Sequence, residues 1–204
     1  GLGYNMDEDD VITGGSGSTD TLIFDLGADD VSATITGFET IQIADADEGT
    51  LDLSNSSGYT TIEFDAVTTD ETSVTNVASG TTVAVTAEGS DVLAVNAASA
   101  GASLSVTYTD ADEYDGGDTL SFGANVSTVS VAVDEDDTDV DEIDMAFAGN
   151  NTLNITGDDS TDDVLALVLD QAATVTSVAI NSTAAVQYDA SGDTLDDDIN
   201  LTFA

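Results

Sequence analysis

Apolar residues recur in pairs separated by one small or polar residue along the whole chain, and no longer pattern competes with them. The pairs are Leu22 and Phe24, Ile41 and Ile43, Leu51 and Leu53, Ile62 and Phe64, Val83 and Val85, Leu93 and Val95, Leu104 and Val106, Leu120 and Phe122, Val129 and Val131, Ile143 and Met145, Leu153 and Ile155, Leu165 and Leu167, Val178 and Ile180, Val186 and Tyr188, and Ile199 and Leu201. A period of two with a single inward pair marks a strand of about three to five residues. Helical spacing is hardly visible. The pairs begin about 12 residues apart on average, and Gly, Asp, Ser, Thr, Asn and Ala fill the segments between them. Those residues bond their own backbone or tolerate left-handed geometry, so they read as turns.

Two architectures accommodate many short strands at this spacing. A parallel β-solenoid stacks them in rungs that bury apolar residues against their neighbours. An immunoglobulin-like β-sandwich has strands at similar intervals. The shortness of the strands and the absence of Trp, Cys and Pro, the usual sandwich landmarks, favour the solenoid. Two strands per rung give rungs of roughly 20–24 residues. The expectation is an all-β chain with one solenoid domain over residues 1–204, the sandwich being the alternative.

Charge narrows the chemistry. The 204 residues include 42 Asp and Glu and no Lys, Arg or His, a formal charge of -42. No side-chain ion pair can form. Nucleic acid and anionic membrane surfaces both require cationic side chains, so neither is an expected partner. The usual catalytic bases, phosphate-binding cations, thiolates and Schiff-base amines are also missing. Carboxylate, hydroxyl and metal chemistry remain. Apolar residues make up 41% of the chain, enough to fold despite the charge.

There is no Cys to report on redox compartment. The opening GLGYNMDEDD lacks a cationic segment followed by an apolar one, and the longest apolar run, roughly Val164 to Leu169, is far too short to cross a bilayer. A start at Gly1 rather than Met reads as a mature product or an excised segment. The last residues, Ile199 to Ala204, look like a strand with no amphipathic cap, which suggests a fragment or a subunit that stacks end to end.

Asp outnumbers Glu 33 to 9. Asp favours turns and caps where Glu favours helices, so the charge is mostly turn charge. Turns of successive rungs would lie about 4.8 Å apart. Carboxylates stacked at that spacing repel by about 3 kcal/mol per pair at an effective dielectric near 20. Cations must neutralise such columns. Ca²⁺, which takes 6–8 oxygen ligands, is the expected one.

The sharpest local pattern runs from Asp10 through Gly14-Gly15-Ser16-Gly17-Ser18-Thr19-Asp20 to Leu22 and Phe24. It resembles the glycine-rich nonapeptide repeat of RTX proteins, G-G-x-G-x-D-x-U-x, with one extra position at Ser18-Thr19 before the Asp. That resemblance implies a calcium turn over residues 7–24, with Asp10, Gly15, Gly17 and Asp20 as ligands. Weaker Gly-Asp-x-apolar echoes occur at Gly89 to Leu93, Gly116 to Leu120 and Gly192 to Leu195. Acidic clusters beside them add the candidate metal ligands Asp110, Asp112, Asp115, Asp118, Asp158, Asp159, Asp162, Asp163, Asp193, Asp196 and Asp198. The run from Asp110 to Gly116 is similar to the start of an EF-hand loop, but the closing Glu and the flanking helices are missing.

Gly37-Phe38-Glu39-Thr40-Ile41, Gly49-Thr50-Leu51-Asp52-Leu53-Ser54 and Tyr59 to Phe64 resemble the β-solenoid bodies of bacterial surface-layer proteins and large RTX adhesins. The resemblance implies a secreted, calcium-dependent protein of the cell surface that self-associates into a coat, filament or stalk, and no enzyme. Two other readings compete. One is a β-helix that binds carbohydrate or processes polysaccharide with paired carboxylates. The other is an acidic, salt-adapted surface protein without specific calcium sites. Thr-x-Thr columns of an ice-binding solenoid look too sporadic at Thr34 to Thr36 and Thr107 to Thr109. Sequons stand at Asn55, Asn125, Asn150, Asn154, Asn181 and Asn200.

Overall fold

The computed structural model describes residues 6–27, 30–46, 48–65, 71–85, 93–108, 119–133, 142–148, 151–157, 165–171, 177–182, 186–188 and 200–203. These residues form strands and turns and no helix. The strands are β1 (Val11–Thr13), β2 (Thr21–Leu26), β3 (Thr34–Thr36), β4 (Thr40–Ala46), β5 (Gly49–Asp52), β6 (Thr61–Phe64), β7 (Thr72–Val77), β8 (Thr82–Val85) and β9 (Leu93–Ala97). They continue as β10 (Ala102–Tyr108), β11 (Thr119–Phe122), β12 (Val126–Val133), β13 (Glu142–Phe147), β14 (Asn151–Gly157), β15 (Leu165–Gln171), β16 (Ser177–Ser182), β17 (Val186–Tyr188) and β18 (Asn200–Phe203).

Even-numbered strands from β2 to β18 lie side by side in one nine-stranded sheet, and odd-numbered strands from β5 to β17 in a seven-stranded one. Each pairing is parallel, as between β4 and β6 or β9 and β11. A chain that alternates between two parallel sheets in this way is a β-solenoid with two strands per rung. Register gives the rung length. Thr21 faces Thr40, Thr40 faces Thr61 and Thr61 faces Thr82, steps of 19, 21 and 21 residues. Leu93 faces Leu120 and Asn151 faces Val178, steps of 27. The range is therefore wider than the expected 20–24.

The period-two pairs are the inward residues. Ile41 and Ile43, Ile62 and Phe64, Val83 and Val85, and Leu104 and Val106 are all buried from one sheet. From the other sheet come Leu51, Val74, Leu93 and Val95, Leu120 and Phe122, and Met145 and Phe147. Equivalent positions stack: Leu51, Val74, Val95, Phe122 and Phe147 form one column, ending in two rings with centroids 5.4 Å apart. Each large apolar side chain removed from water contributes about 1.5–3 kcal/mol.

Four elements depart from the sequence pattern. At the N-terminal end, β1 and β3 pair with each other, and Thr36 bridges to Ser57, making a third narrow face. β7 has no apolar pair at spacing two, because Thr72 occupies an inward position and a bulge between Val74 and Val77 breaks the alternation. In β18 the residues facing Val178 and Ile180 are Leu201 and Phe203, so the last pair is shifted by two from Ile199 and Leu201.

Candidate functional site

Glycine spacing makes the first turn possible. The N–H of Gly14 donates to the carbonyl of Thr36 at 2.8 Å, and a Cβ on Gly14 would sit 2.0 Å from the Gly37 oxygen. Beyond it the chain folds back so that Asp20 Oδ2 accepts the Gly17 N–H at 3.3 Å. A Cβ on Gly15 would lie 2.8 Å from Asp20 Oδ2, and one on Gly17 3.0 Å from Oδ1. A side chain at either glycine would push the Asp20 carboxylate aside, so both leave room for it to close over the turn despite the extra residue before it.

Asp20 is also tied to the next rung. Its N–H donates to Glu39 Oε2 at 2.8 Å, and its carbonyl accepts the N–H of Glu39 at 2.9 Å. Asp10 serves the backbone as well. Its Oδ2 accepts the Asp7 N–H at 3.1 Å and its carbonyl the Thr34 N–H at 2.9 Å. The candidate ligands of residues 7–24 thus bring a single carboxylate, Asp20, over the glycine turn. Among the described residues no three acidic groups converge into a metal-binding cluster. A Ca²⁺ ion takes 6–8 oxygens, so an ion at this turn would draw most of its ligands from backbone carbonyls and water rather than from carboxylates. Asp110, Asp112, Asp115, Asp118, Asp158, Asp159, Asp162, Asp163, Asp193, Asp196 and Asp198 lie outside the described residues.

Topology sorts the acidic residues. Segments 65–71, 86–92, 109–118, 134–141 and 158–164 run from an even strand to the following odd strand. They carry, in order, Asp65, Asp70 and Glu71; Glu88 and Asp91; Asp110, Asp112, Glu113, Asp115 and Asp118; Asp134 to Asp137 with Glu135, then Asp139 and Asp141; and Asp158, Asp159, Asp162 and Asp163. Segments 53–60, 78–81, 98–101, 123–125, 148–150 and 172–176 run from odd to even and contain no Asp or Glu. The alternation fails only near the ends, where Asp20 and Glu39 precede even strands, 183–185 is uncharged and 189–199 is acidic. Because the strands are parallel, connections of one kind leave from the same edge of a sheet. One edge is acidic and the other neutral.

The neutral edge is built from hydrogen bonds and glycine. Gly37, Gly58, Gly80 and Gly101 have φ of +72°, +95°, +89° and +83°, and each stands just before an even strand, β4, β6, β8 or β10. Only glycine adopts this region without strain. The buried Tyr59 hydroxyl accepts the Ala78 N–H at 3.0 Å, joining one such corner to the next. Asn125 Nδ2 donates to the Ala97 carbonyl at 2.9 Å, and Ser79 Oγ accepts the Ser103 N–H at 3.1 Å. Spacing of 21 or 22 residues between these glycines is the signal that would have revealed the ladder in advance.

Charges on the strands are held individually. Asp52 Oδ1 accepts Asn76 Nδ2 at 2.7 Å and the Ser54 N–H at 2.9 Å. Burial pulls the Asp52 pKa upward, but the bonds from Asn76 and Ser54 outweigh it and leave the carboxyl below its ordinary value. Glu63 goes the other way. Burial raises its pKa first, and the charge of Asp65 and a hydrogen bond with it add to the rise.

Comparison with protein-family models, with curated proteins and with solved structures found no match.

Proposed function

We propose that this chain is an extracellular structural protein, a self-associating β-solenoid of a surface layer, filament or adhesin stalk whose acidic edge is neutralised by divalent cations, Ca²⁺ first among them. The observation that carries the reading is the sorting of acidic residues to one edge of a stacked fold. Connections leaving neighbouring strands start about 4.8 Å apart, so carboxylates concentrated there repel one another. The chain has no Lys, Arg or His with which to answer them. Cations from outside are the remaining source of neutralisation, and an extracellular, calcium-rich medium supplies them. What holds the rungs supports a scaffold role: ladders of buried aliphatic residues and short polar bonds between successive coils.

Thermal melting followed by circular dichroism in EDTA, NaCl and CaCl₂ at matched ionic strength tests this. The melting temperature is expected to be lowest in EDTA at low salt and to rise more with CaCl₂ than with NaCl. Identical curves in the two salts would assign the charge to general salt adaptation. Electron micrographs in CaCl₂ test the assembly, with fibres or sheets expected.

A further inference from the structure

The outer face of the even-numbered sheet changes character along the solenoid. β2, β4 and β6 carry Asp25, Asp45 and Glu63. From β8 onward the even strands read TVAV, ASLSVTY, VSTVSVAV, NTLNITG, SVAINS and NLTF, with no Asp or Glu in any of them. In a chain with one acid in every five residues this is a large uncharged surface. The odd sheet has no equivalent, since acids interrupt β5, β13 and β15 at Asp52, Glu142, Asp144 and Asp170.

The register shows what occupies the face instead. Thr21, Thr40, Thr61, Thr82, Ser105, Ser130, Asn154 and Asn181 are successive partners in one column across eight strands. Ser103, Thr128 and Thr152 form the column beside it, and Asn154 Nδ2 donates to Ser130 Oγ at 3.3 Å. The outward residues of β8 to β14 are small, and the described ones include no aromatic ring on which a sugar would stack. The neutral edge adjoins this face and extends it.

We infer that this uncharged face is where a second copy of the chain docks, sheet against sheet. The inference rests on the self-associating reading above and assigns the surface it uses. Two copies that each carry -42 repel wherever acids meet. Ser105, Ser130 and Asn154, in the middle of β10, β12 and β14, stand four positions, or about 13 Å of extended chain, before the acidic connections begin. That is more than the Debye length of about 8 Å at physiological salt, so repulsion across this face is largely screened. Five strand spacings by about six residues give an area on the order of 500 Å² per copy, short of the ~800 Å² of a standard stable interface. A single pair is therefore weak, and its formation is concentration-dependent and promoted by salt.

Sedimentation equilibrium of the whole chain, at concentrations up to about 1 mM because the interface is small, with and without NaCl, tests the proposal. Association is expected to strengthen with NaCl. S130D combined with N154D should weaken it at least tenfold. A94D combined with S121D, which adds the same charge to the outer side of β9 and β11, should leave it within about twofold. As a milder probe, S130C should form disulfide dimers on oxidation faster than S121C, in a chain that otherwise has no Cys. Association that persists in the S130D/N154D variant, with equal oxidation rates for the two Cys variants, overturns the face and leaves self-association standing. A wild-type chain that is monomeric under every condition overturns both. Retention of a monomer on a neutral polysaccharide, abolished by S130D/N154D, would give the face to a glycan and also overturn the proposal.

Discussion

The two edges of the solenoid are made by the same chain, turn after turn, yet one is acidic and the other is neutral. Between β7 and β14 the neutral connections are three or four residues long, at 78–81, 98–101, 123–125 and 148–150. The acidic ones span seven to ten, at 86–92, 109–118 and 134–141. Over these rungs length and charge go together, whereas nearer the N-terminal end the neutral 53–60 is long and the acidic 47–48 is short; where they coincide there is a physical reason. The corners at 78–81 and 98–101 are closed by backbone bonds and a left-handed glycine, Gly80 or Gly101, and their groups are committed to the neighbouring rung. A carboxylate placed there would lose water without gaining a partner. A longer connection lets each carboxylate keep its hydration or meet a cation. Stacking therefore does more than bury apolar columns. It forces each kind of turn to be compatible with copies of itself above and below.

Three measurements press on that contrast. The largest effect is expected at Gly14, which belongs to a closed corner. Gly14→Ala drives a methyl against the Gly37 carbonyl, and the overpacking should cost about 1–3 kcal/mol or more in chemical denaturation. Gly27, in the even-to-odd segment after β2, has nothing within 4 Å of an added Cβ. Gly27→Ala should change stability by no more than about 0.5 kcal/mol, and as a gain where the backbone is compatible. Equal losses at both positions would dissolve the distinction between a closed corner and an open connection.

Next comes Thr72, whose buried Oγ1 has no hydrogen-bond partner among the described residues. It follows an acidic segment and faces Gly49 and Leu93 across the sheet. Thr72→Val keeps the shape and removes the stranded hydroxyl, so it should stabilise the fold by about 1–2 kcal/mol. A loss would mean that the hydroxyl is satisfied after all.

The smallest effect is the dependence on pH near the strands. Glu63 has its pKa raised in the folded state above the ordinary 4.5, so its protonated form favours folding. Stability from this group is fully present below 4.5 and is lost as pH rises through the raised pKa. Asp52 has its pKa lowered from the ordinary 3.8, so its contribution is present above 3.8 and is lost as pH falls through the lowered value. The melting temperature should climb on acidification from neutral pH towards 4.5 and fall again below 3.8. Glu63→Gln should flatten the first limb, Asp52→Asn the second.

How much of this was legible in the sequence depends on whether a single residue carried the signal. Fourteen of the apolar pairs mark strands, because each rung needs its own inward residues and cannot borrow from a distant core. β7 was hidden because Thr72 breaks the apolar alternation and Asn76, at φ 60°, adds a bulge. β1 and β3 are too short to show a period. The glycine turn was legible as a turn, and Gly15, Gly17 and Asp20 do come together. What also escaped the sequence is that Asp10 and Asp20 each turn one carboxylate oxygen to a backbone N–H of the turn, at Asp7 and Gly17. The division into two edges escaped composition altogether. It depends on which strand each turn leaves, and that parity is set only when the sheets are known.

The difference in connection length also sets an order for folding. Closing a loop costs about 0.6 kcal/mol more for each doubling of its length. The cheaper closure is the short neutral corner between an odd strand and the even strand that follows, such as β9 with β10 or β11 with β12, although the two lie in different sheets and pair only with strands of neighbouring rungs. Joining one such segment to the next requires the longer acidic connection to close against the repulsion of its own carboxylates. Ion concentration would then govern the rate at which rungs accumulate as well as the stability of the finished stack.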